Sequence, residues 1–221
     1  MNKIYIPIGT NCIMANSLKT CKLRHIAYPF DWMWSHPIFV YNVLYALFYS
    51  KATSEEIIKN IFFEYEQYCI EFKYAHYILT TNITKDTYLC NEKHNVVYPH
   101  NLYDKKTLMK YQRRLERLKT DILNPEIVPV FMYLSPNSDK NGPVSMNTKP
   151  IIDYDYFSIL NNIYHLIDEV RNINTFQFVV FDTFEDYNES LLPNIIKHKI
   201  KHKTTPDRVY KYIIHHLQAY K

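Results

Sequence analysis

The amino-acid sequence predicts a single three-layer α/β domain over residues 1–221, with a mostly parallel central sheet flanked by helices. Segments near residues 4, 128 and 178 are short apolar runs typical of buried strands, and the segment near residue 198 alternates in the period-2 pattern of a strand. Segments with helical spacing of apolar residues lie between them, and this alternation is typical of parallel sheets covered by helices. No linker, repeat or low-complexity segment divides the chain, and its 47% hydrophobic residues can fill one core.

The first half of the chain opens with a predicted strand at residues 3–8 and a helix from 11 to about 21. A dense aromatic segment, broken by a proline, follows at 25–34. Apolar residues at helical spacing predict a core-facing helix over 38–49. The sequence Thr-Ser-Glu-Glu at 53–56 is typical of a capping box that begins another helix.

The second half contains the remaining three strands. Residues 64–104 look irregular, apart from a short apolar run at 70–77 that indicates a further strand. Beyond them, continuous apolar runs predict two strands, an alternating pattern predicts a third, and a 3.6-residue period predicts helices. The predicted elements are strands at 127–134, 176–181 and 195–203, and helices at about 108–118, at 156–170 and from Pro206 onward.

Glycine is rare in this chain, and one of its two glycines directly follows the first predicted strand. Average usage would give roughly fifteen glycines. Gly9 therefore indicates a tight turn or a close backbone approach, with Cys12 near the start of the next helix. The positive end of a helix dipole favours a thiolate there, which makes Cys12 a candidate nucleophile. The alternative is a small buried side chain, the usual environment of a free cysteine.

Charge and motifs argue against several functional classes. The formal net charge of +4 does not by itself require a nucleic-acid partner. The chain has no Walker A loop, no GxGxxG, no HExxH and no CxxC pair, so we expect no cofactor and no metal site. Lysines at 197, 199, 201 and 203 alternate along one predicted strand. They either protect a sheet edge or form a nucleic-acid stripe, and we favour the first interpretation.

The sequence also predicts a compartment. It shows neither a signal peptide nor a long enough apolar run for a membrane span, so we expect a cytoplasmic protein with free thiols and no membrane partner. Tyrosine, asparagine, isoleucine and lysine are abundant, and their AT-rich codons are typical of large DNA viruses and AT-rich bacteria. For a viral protein the compartment would be the host cell. Nothing in the sequence indicates an oligomeric state.

Two motifs in the first forty residues resemble a known family, the putative papain-like cysteine peptidases of bacteria and large viruses. The family pattern is a Gly-x-x-Cys-x-x-Ala-x-x-Leu start and a Pro-Phe-Asp-Trp block, and both occur here at matching separation. A Phe-x-x-x-His element and an arginine-rich helix follow in that family. The matching segments are Gly9-Thr10-Asn11-Cys12-Ile13-Met14-Ala15 with Leu18, Pro29-Phe30-Asp31-Trp32, Phe72-Lys73-Tyr74-Ala75-His76 and Arg113-Arg114-Leu115-Glu116-Arg117.

This resemblance implies a cysteine-dependent hydrolase of peptidase or acyl-transfer type, acting on a peptide or a small acyl substrate. Cys12 would attack a carbonyl carbon and His76 would accept the thiol proton. Asp31 would orient the histidine.

Other residues compete for these roles. Asp31 is alternatively a structural group that caps a helix or pairs with Arg24. Asp182, at the end of a predicted strand, is a second candidate for orienting the base. Backbone N–H groups near Asn11 are candidate oxyanion donors. The other candidate bases are His25, His36 and His100, and the candidate binding residues are Gly9, Asn11 and Trp32.

A strand directly before the cysteine differs from papain-like enzymes, in which the cysteine begins a long helix and the histidine follows on a strand. It is more similar to the first block of SGNH hydrolases or to a nucleophile elbow with cysteine in place of serine. Ligands bind at the C-terminal ends of strands in such sheets. We therefore expect Gly9, Asn11, Cys12, Asp31 and His76 to converge on one concave surface at that edge.

A non-enzymatic interaction module is the alternative function, for instance a viral protein that binds a host factor. In that case Cys12 belongs to the core, and the aromatic residues 28–34 are structural or form an interface. Binding of RNA or DNA through the lysine-bearing strand is a third hypothesis, which the weak net charge disfavours.

Overall fold

A computed structural model describes residues 2–8, 12–35, 37–62, 69–71, 87–91, 96–98, 105–135, 156–173, 175–182, 194–200 and 206–220. The strands in these ranges are β1 (Asn2–Pro7), β2 (Trp34–Ser35), β3 (Cys69–Glu71), β4 (Thr87–Asn91), β5 (Val96–Tyr98), β6 (Ile127–Leu134), β7 (Gln177–Asp182) and β8 (Ile195–Lys199). The α-helices are α1 (Cys12–Thr20), α2 (Pro37–Tyr49), α3 (Ser54–Ile57), α4 (Lys105–Leu123), α5 (Tyr156–Arg171) and α6 (Pro206–Leu217).

Four strands form an all-parallel sheet in the order β1-β6-β7-β8, which confirms the predicted α/β fold. The register pairs Ile6 of β1 with Phe131 of β6, and Phe131 with Phe178 of β7. Phe178 in turn pairs with Ile195 of β8. Strands β6 and β7 lie in the centre, and their continuous apolar sequences follow from burial on both faces of a parallel sheet.

Alternate side chains of β6 enter two separate cores. Val130, Met132 and Leu134 pack with α1 and α6 on one side of the sheet, which we call the first face. Phe131 and Tyr133 pack with α2, α4 and α5 on the opposite side, the second face. Helices therefore cover both faces of the sheet, which gives the three layers that the sequence predicts.

A second sheet is antiparallel, with the order β2-β5-β4-β3. The sequence prediction is wrong in part here, because residues 64–104 contain β4 and β5 rather than only irregular chain. Of the strand expected at 70–77 the structure shows β3, and residues 72–77 lie outside the described ranges. These strands have three to five residues each. A period-2 pattern cannot be recognised over so few positions.

Helix starts follow the local signals in the sequence. The predicted capping box is confirmed: the Thr53 hydroxyl accepts from the Glu56 N–H at 3.2 Å, and the Glu56 carboxylate accepts from the Thr53 N–H at 2.7 Å. Helix α3 continues as a π-helical turn over Ile58–Phe62. Pro206 is the first residue of α6, as predicted. Among the described helices, none has the length and apolar composition needed to cross a bilayer.

The final helical turn, Gln218–Tyr220, contacts both edge strands of the parallel sheet. The Tyr5 hydroxyl in β1 donates to the Tyr220 carbonyl at 2.9 Å. The Tyr220 hydroxyl lies 3.2 Å from Nε2 of His198 in β8. This turn therefore closes the first-face core across the width of the sheet.

Arg171, the last residue of α5, is a buried cation that joins α4 to β6. Its guanidinium donates to the carbonyl oxygens of Ile122, of Asn124 at 3.4 Å and of Ile127 at 2.9 Å, and to the Thr175 hydroxyl at 3.1 Å. The last carbonyl groups of a helix have no intrahelical donor. Arg171 therefore caps α4 and fixes the turn that leads into β6.

We predict that Arg171→Met lowers the free energy of unfolding by about 2–4 kcal/mol, because several buried carbonyl groups lose a charged donor together. Urea unfolding followed by circular dichroism measures the loss. The matched control is Arg113→Met, since Arg113 is exposed on α4. Its effect should stay within about 0.5 kcal/mol. Equal losses in the two variants would contradict the capping role.

Candidate active site

The carboxyl ends of the parallel strands meet at one edge of the sheet, and Cys12 lies at that edge. The Ile8 N–H, just after β1, donates to the Met132 carbonyl of β6 at 2.9 Å. The Ser135 N–H, just after β6, donates to the Phe181 carbonyl of β7 at 2.8 Å. Helix α1 begins at Cys12, four residues after Ile8. The predicted order of strand, cysteine and helix is therefore present, whereas the turn expected at Gly9 lies outside the described residues.

The helices that follow β1 and β6 in the sequence lie on opposite faces of the sheet. Strand β1 leads to α1 on the first face, whereas β6 leads to α5 on the second face. Two neighbouring parallel strands whose connections diverge in this way leave a crevice beyond their carboxyl ends, and ligands of open α/β sheets bind there. Cys12 lies on the first-face side of this crevice.

The Cys12 side chain is partly exposed, and the other described thiol, Cys21, is buried. Burial raises the pKa of the Cys12 thiol, although a hydrogen bond from its own backbone N–H acts in the opposite direction. The sequence predicts a thiolate favoured by the helix dipole, so the direction is opposite to that expectation. The physical reason is desolvation, which disfavours the charged form of a half-buried thiol. Reactivity at neutral pH then requires a nearby base.

Asp31 is fully buried and forms the ion pair with Arg24 that the sequence allows for. Its Oδ2 atom accepts hydrogen bonds from both Nε, at 2.9 Å, and Nη2 of Arg24, and from the Tyr28 N–H at 3.1 Å. Within the described residues its Oδ1 atom has no hydrogen-bond partner. Burial raises the pKa of the Asp31 carboxyl, and the Arg24 guanidinium opposes this effect.

Residues 21–35, which we call the connecting segment, carry the chain from α1 on the first face to α2 on the second. This segment packs against α4. The Arg117 guanidinium donates to the Ala27 carbonyl at 2.9 Å, and the Tyr28 hydroxyl donates to the Asp121 carboxylate at 2.6 Å. These contacts make the Pro-Phe-Asp-Trp block a packed structural element.

Trp32, a predicted binding residue, lies partly exposed beside Arg24 at the end of this block. The Arg24 guanidinium carbon is 5.6 Å from the centroid of the Trp32 ring. Trp32 has a backbone φ of 64°, a left-handed conformation that is strained for a bulky aromatic residue. The surroundings of Trp32 therefore stabilise a conformation that the residue does not adopt by itself.

The structure describes the side chains of only two members of the predicted catalytic cluster. Cys12 begins α1 on the first face, and Asp31 lies with the second-face residues of the connecting segment. Within the described residues no hydrogen bond joins them. Convergence of the cluster stays a prediction. Gly9, Asn11, His36, His76 and His100 lie outside the described residues, as does the side chain of Asp182, while His25 is exposed.

Arg114 is the neighbour of Asp31 that the sequence did not identify. It lies partly buried on α4 and interacts electrostatically with the Asp31 carboxylate. Arg114 follows Tyr111 by three residues and precedes Arg117 by three, so all three lie on one side of α4. This spacing is the sequence signal that could have identified Arg114. In the described part of the chain no group of three or more histidine, cysteine or acidic side chains could hold a metal ion.

We predict that Arg24→Met costs about 3–5 kcal/mol of stability near neutral pH, because Asp31 is left as a buried carboxylate without its cation. Removing the cation raises the folded-state pKa of Asp31 further. The ionised carboxylate then destabilises the variant increasingly as pH rises above the unfolded pKa of aspartate. The loss should therefore be smaller near pH about 4, where the carboxyl is largely protonated. Urea unfolding at both pH values measures it, and a loss that does not depend on pH would contradict the assignment.

Comparison with known proteins agrees with the motifs. The sequence matches the family described as "Putative papain-like cysteine peptidase (DUF1796)" over residues 3–149. The match spans Cys12, the connecting segment, α4 and β6. Neither a curated protein nor a solved structure matches the chain. Because the matched residues are well over half of the sequence, the chain belongs to the DUF1796 family.

Proposed function

We propose that this protein is a cysteine-dependent hydrolase, of peptidase or acyl-transfer type, with Cys12 as the nucleophile. One observation carries the proposal. Cys12 is the first residue of α1 and lies partly exposed, just after the carboxyl end of β1. Cys21 is buried in the first-face core, with its Sγ atom 3.8 Å from the Ile214 carbonyl oxygen. Of these two cysteines, Cys12 is the better candidate for contact with a substrate.

In the proposed reaction the Cys12 thiol gives its proton to a base, and Sγ attacks the carbonyl carbon of the substrate. The tetrahedral intermediate collapses as the bond to the leaving nitrogen or oxygen breaks. The leaving group takes the proton from the base, and an acyl thioester remains on Cys12. Water then attacks the thioester, releases the acid and restores the thiol. The N-terminus of α1, with its positive dipole end, would stabilise the negative charge that develops on the carbonyl oxygen.

We propose His76 as the base on the family resemblance, since it follows Phe72 in the Phe-x-x-x-His element. Asp31 would orient this histidine. The buried Oδ1 atom of Asp31 supports this role, because it is an acceptor without a hydrogen-bond donor among the described residues. Buried carboxylate oxygens normally have a donor, and an imidazole N–H would supply one. Asp182 at the end of β7 is the alternative orienting group.

An interaction module without catalysis is the second candidate function. The partial burial that raises the pKa of Cys12 favours it, because a structural cysteine has no need of a thiolate. The packed connecting segment would then serve only the fold. Chemical labelling of Cys12 separates the two candidates.

We predict that an iodoacetamide probe at neutral pH modifies Cys12 at least about tenfold faster than Cys21, because a reactive thiol is both accessible and assisted by a base. Peptide mapping by mass spectrometry measures the rate at each cysteine. Cys12→Ser should abolish the fast reaction, and Cys21→Ala is the matched control that should retain it. Similar rates at Cys12, Cys21, Cys69 and Cys90 would favour the interaction module.

A pH profile of the same reaction tests the base. In the wild-type protein a neighbouring imidazole lowers the apparent pKa of the Cys12 thiol relative to the value that burial alone imposes. We predict that His76→Ala shifts the midpoint of the Cys12 alkylation rate to higher pH. His165→Ala, an exposed histidine on α5, is the control and should leave the midpoint unchanged. An unchanged midpoint in His76→Ala would exclude His76 as the base.

A further inference from the structure

Three arginines gather where the connecting segment meets α4. Arg24 is tied to Asp31 through Nε and Nη2. Arg117 donates from Nη1 to the Ala27 carbonyl. Arg114 lies close enough to both for mutual repulsion. Two carboxylates lie at this junction. Asp31 accepts hydrogen bonds from Arg24, and Asp121 accepts one from the Tyr28 hydroxyl.

Arg114 is the member of this cluster that makes neither a hydrogen bond nor an ion pair with any described residue. Its guanidinium lies over the Tyr111 ring. Desolvation lowers the pKa of the Arg114 guanidinium, and the charges of Arg24 and Arg117 lower it further. Attraction to Asp31 offsets part of this effect. A partly buried cation beside two others is unfavourable unless an anion compensates it.

Two aromatic rings orient the guanidinium groups. Arg24 lies over Trp32 and Arg114 over Tyr111, each with its guanidinium carbon 5.6 Å from the ring centroid. A guanidinium held over a ring keeps its N–H edges for other partners. Within the described residues, Nη1 of Arg24 donates no hydrogen bond. Planar guanidinium edges of this kind bind carboxylate and phosphate oxygens in pairs.

The surroundings also fix Arg24 in place before any ligand arrives. The Asp31 carboxylate is fully buried and holds two nitrogen atoms of the guanidinium. Trp32, beneath the same guanidinium, is kept in a left-handed backbone conformation with φ 64°. Strained backbone of this kind is concentrated at sites where geometry matters for binding. Arg24 is therefore preorganised rather than free to follow a ligand.

We propose that Arg24 and Arg114 form a binding site for an oxyanion, the carboxylate or phosphate group of a ligand, where the connecting segment meets α4. The anion would accept hydrogen bonds from the Arg114 guanidinium and from Nη1 of Arg24. Asp31 is a positioning residue in this site, since it holds Arg24. The proposal does not depend on catalysis by Cys12, because it concerns binding alone.

Thermal unfolding of the full chain at constant ionic strength tests the site, with inorganic phosphate and acetate as probes and chloride as the reference anion. The wild-type melting temperature should rise with one of the two oxyanions in a saturable way, beyond the effect of chloride. Arg114→Gln should weaken this apparent affinity by about ten- to a hundredfold, through loss of a charge-assisted contact. The tighter of the two probes identifies the ligand as a phosphate or a carboxylate.

Arg113→Gln is the matched control, one residue away and exposed on the same helix. It should keep the response to the oxyanion. A wild-type protein that responds equally to chloride and to both oxyanions would overturn the proposal, as would equal loss in the two variants.

The ligand-free proteins supply a second readout. Because Arg114 is repelled by its neighbours, Arg114→Gln without ligand should be at least as stable as Arg113→Gln. A clearly lower melting temperature for Arg114→Gln would mean that Arg114 neutralises a structural partner, and would also overturn the proposal.

Discussion

The ion pair between Arg24 and Asp31 is the interaction on which the connecting segment depends. The partners lie seven residues apart, so the pair closes a compact loop after α1. Asp31 has no exposed surface, and its charge is tolerated because a guanidinium and a backbone N–H face the same oxygen. Tyr28, Phe30 and Met33 of this segment fill the second-face core. A polar contact thus determines which apolar side chains reach that core.

The connecting segment contains the Pro-Phe-Asp-Trp block and follows α1, which begins within the Gly-x-x-Cys motif. Strand β1 leads through α1 into the connecting segment, which is fastened to α4 by Tyr28 and Arg117. Helix α4 leads into β6, and β6 pairs with β1 over its length. The chain therefore returns to the strand from which it started. Because Cys12 and Asp31 both belong to this closed path, the position of the cysteine relative to the crevice depends on the packing of the Pro-Phe-Asp-Trp block.

Elements could be predicted from the sequence where their burial produces a local pattern of apolar residues. Strands β6 and β7 are covered on both faces, so each is a continuous apolar run that identifies a strand without reference to the rest of the chain. Strands β4 and β5 were not predicted, because they are short and because their pairing depends on the partner strand rather than on a pattern of their own. The Arg24–Asp31 pair could be predicted because its members are close in sequence. Arg114 and Asp31 are far apart in the sequence, so their interaction could not be predicted in this way.

The state of Cys12 could be predicted only in part for a related reason. Gly9 and the apolar run before it indicate the end of a strand and the start of a helix. The position of Cys12 in the fold could therefore be predicted from the sequence. The pKa of the Cys12 thiol depends on how deeply the side chain is buried, and burial is a property of the folded domain. Desolvation, which depends on the whole fold, outweighs the local hydrogen bond from the backbone N–H of Cys12.

The pairing of β1 with β6 has a consequence for the nascent chain. The register joins Asn2 to Ile127, so the ribosome delivers the partner of β1 about 125 residues after β1 itself. At cellular elongation rates this interval is roughly 6–25 s. During that time the apolar residues of β1 and the apolar side of α1 have neither their sheet nor their core. The amino-terminal third of the chain therefore emerges with apolar surface that stays uncovered until β6 has been synthesised.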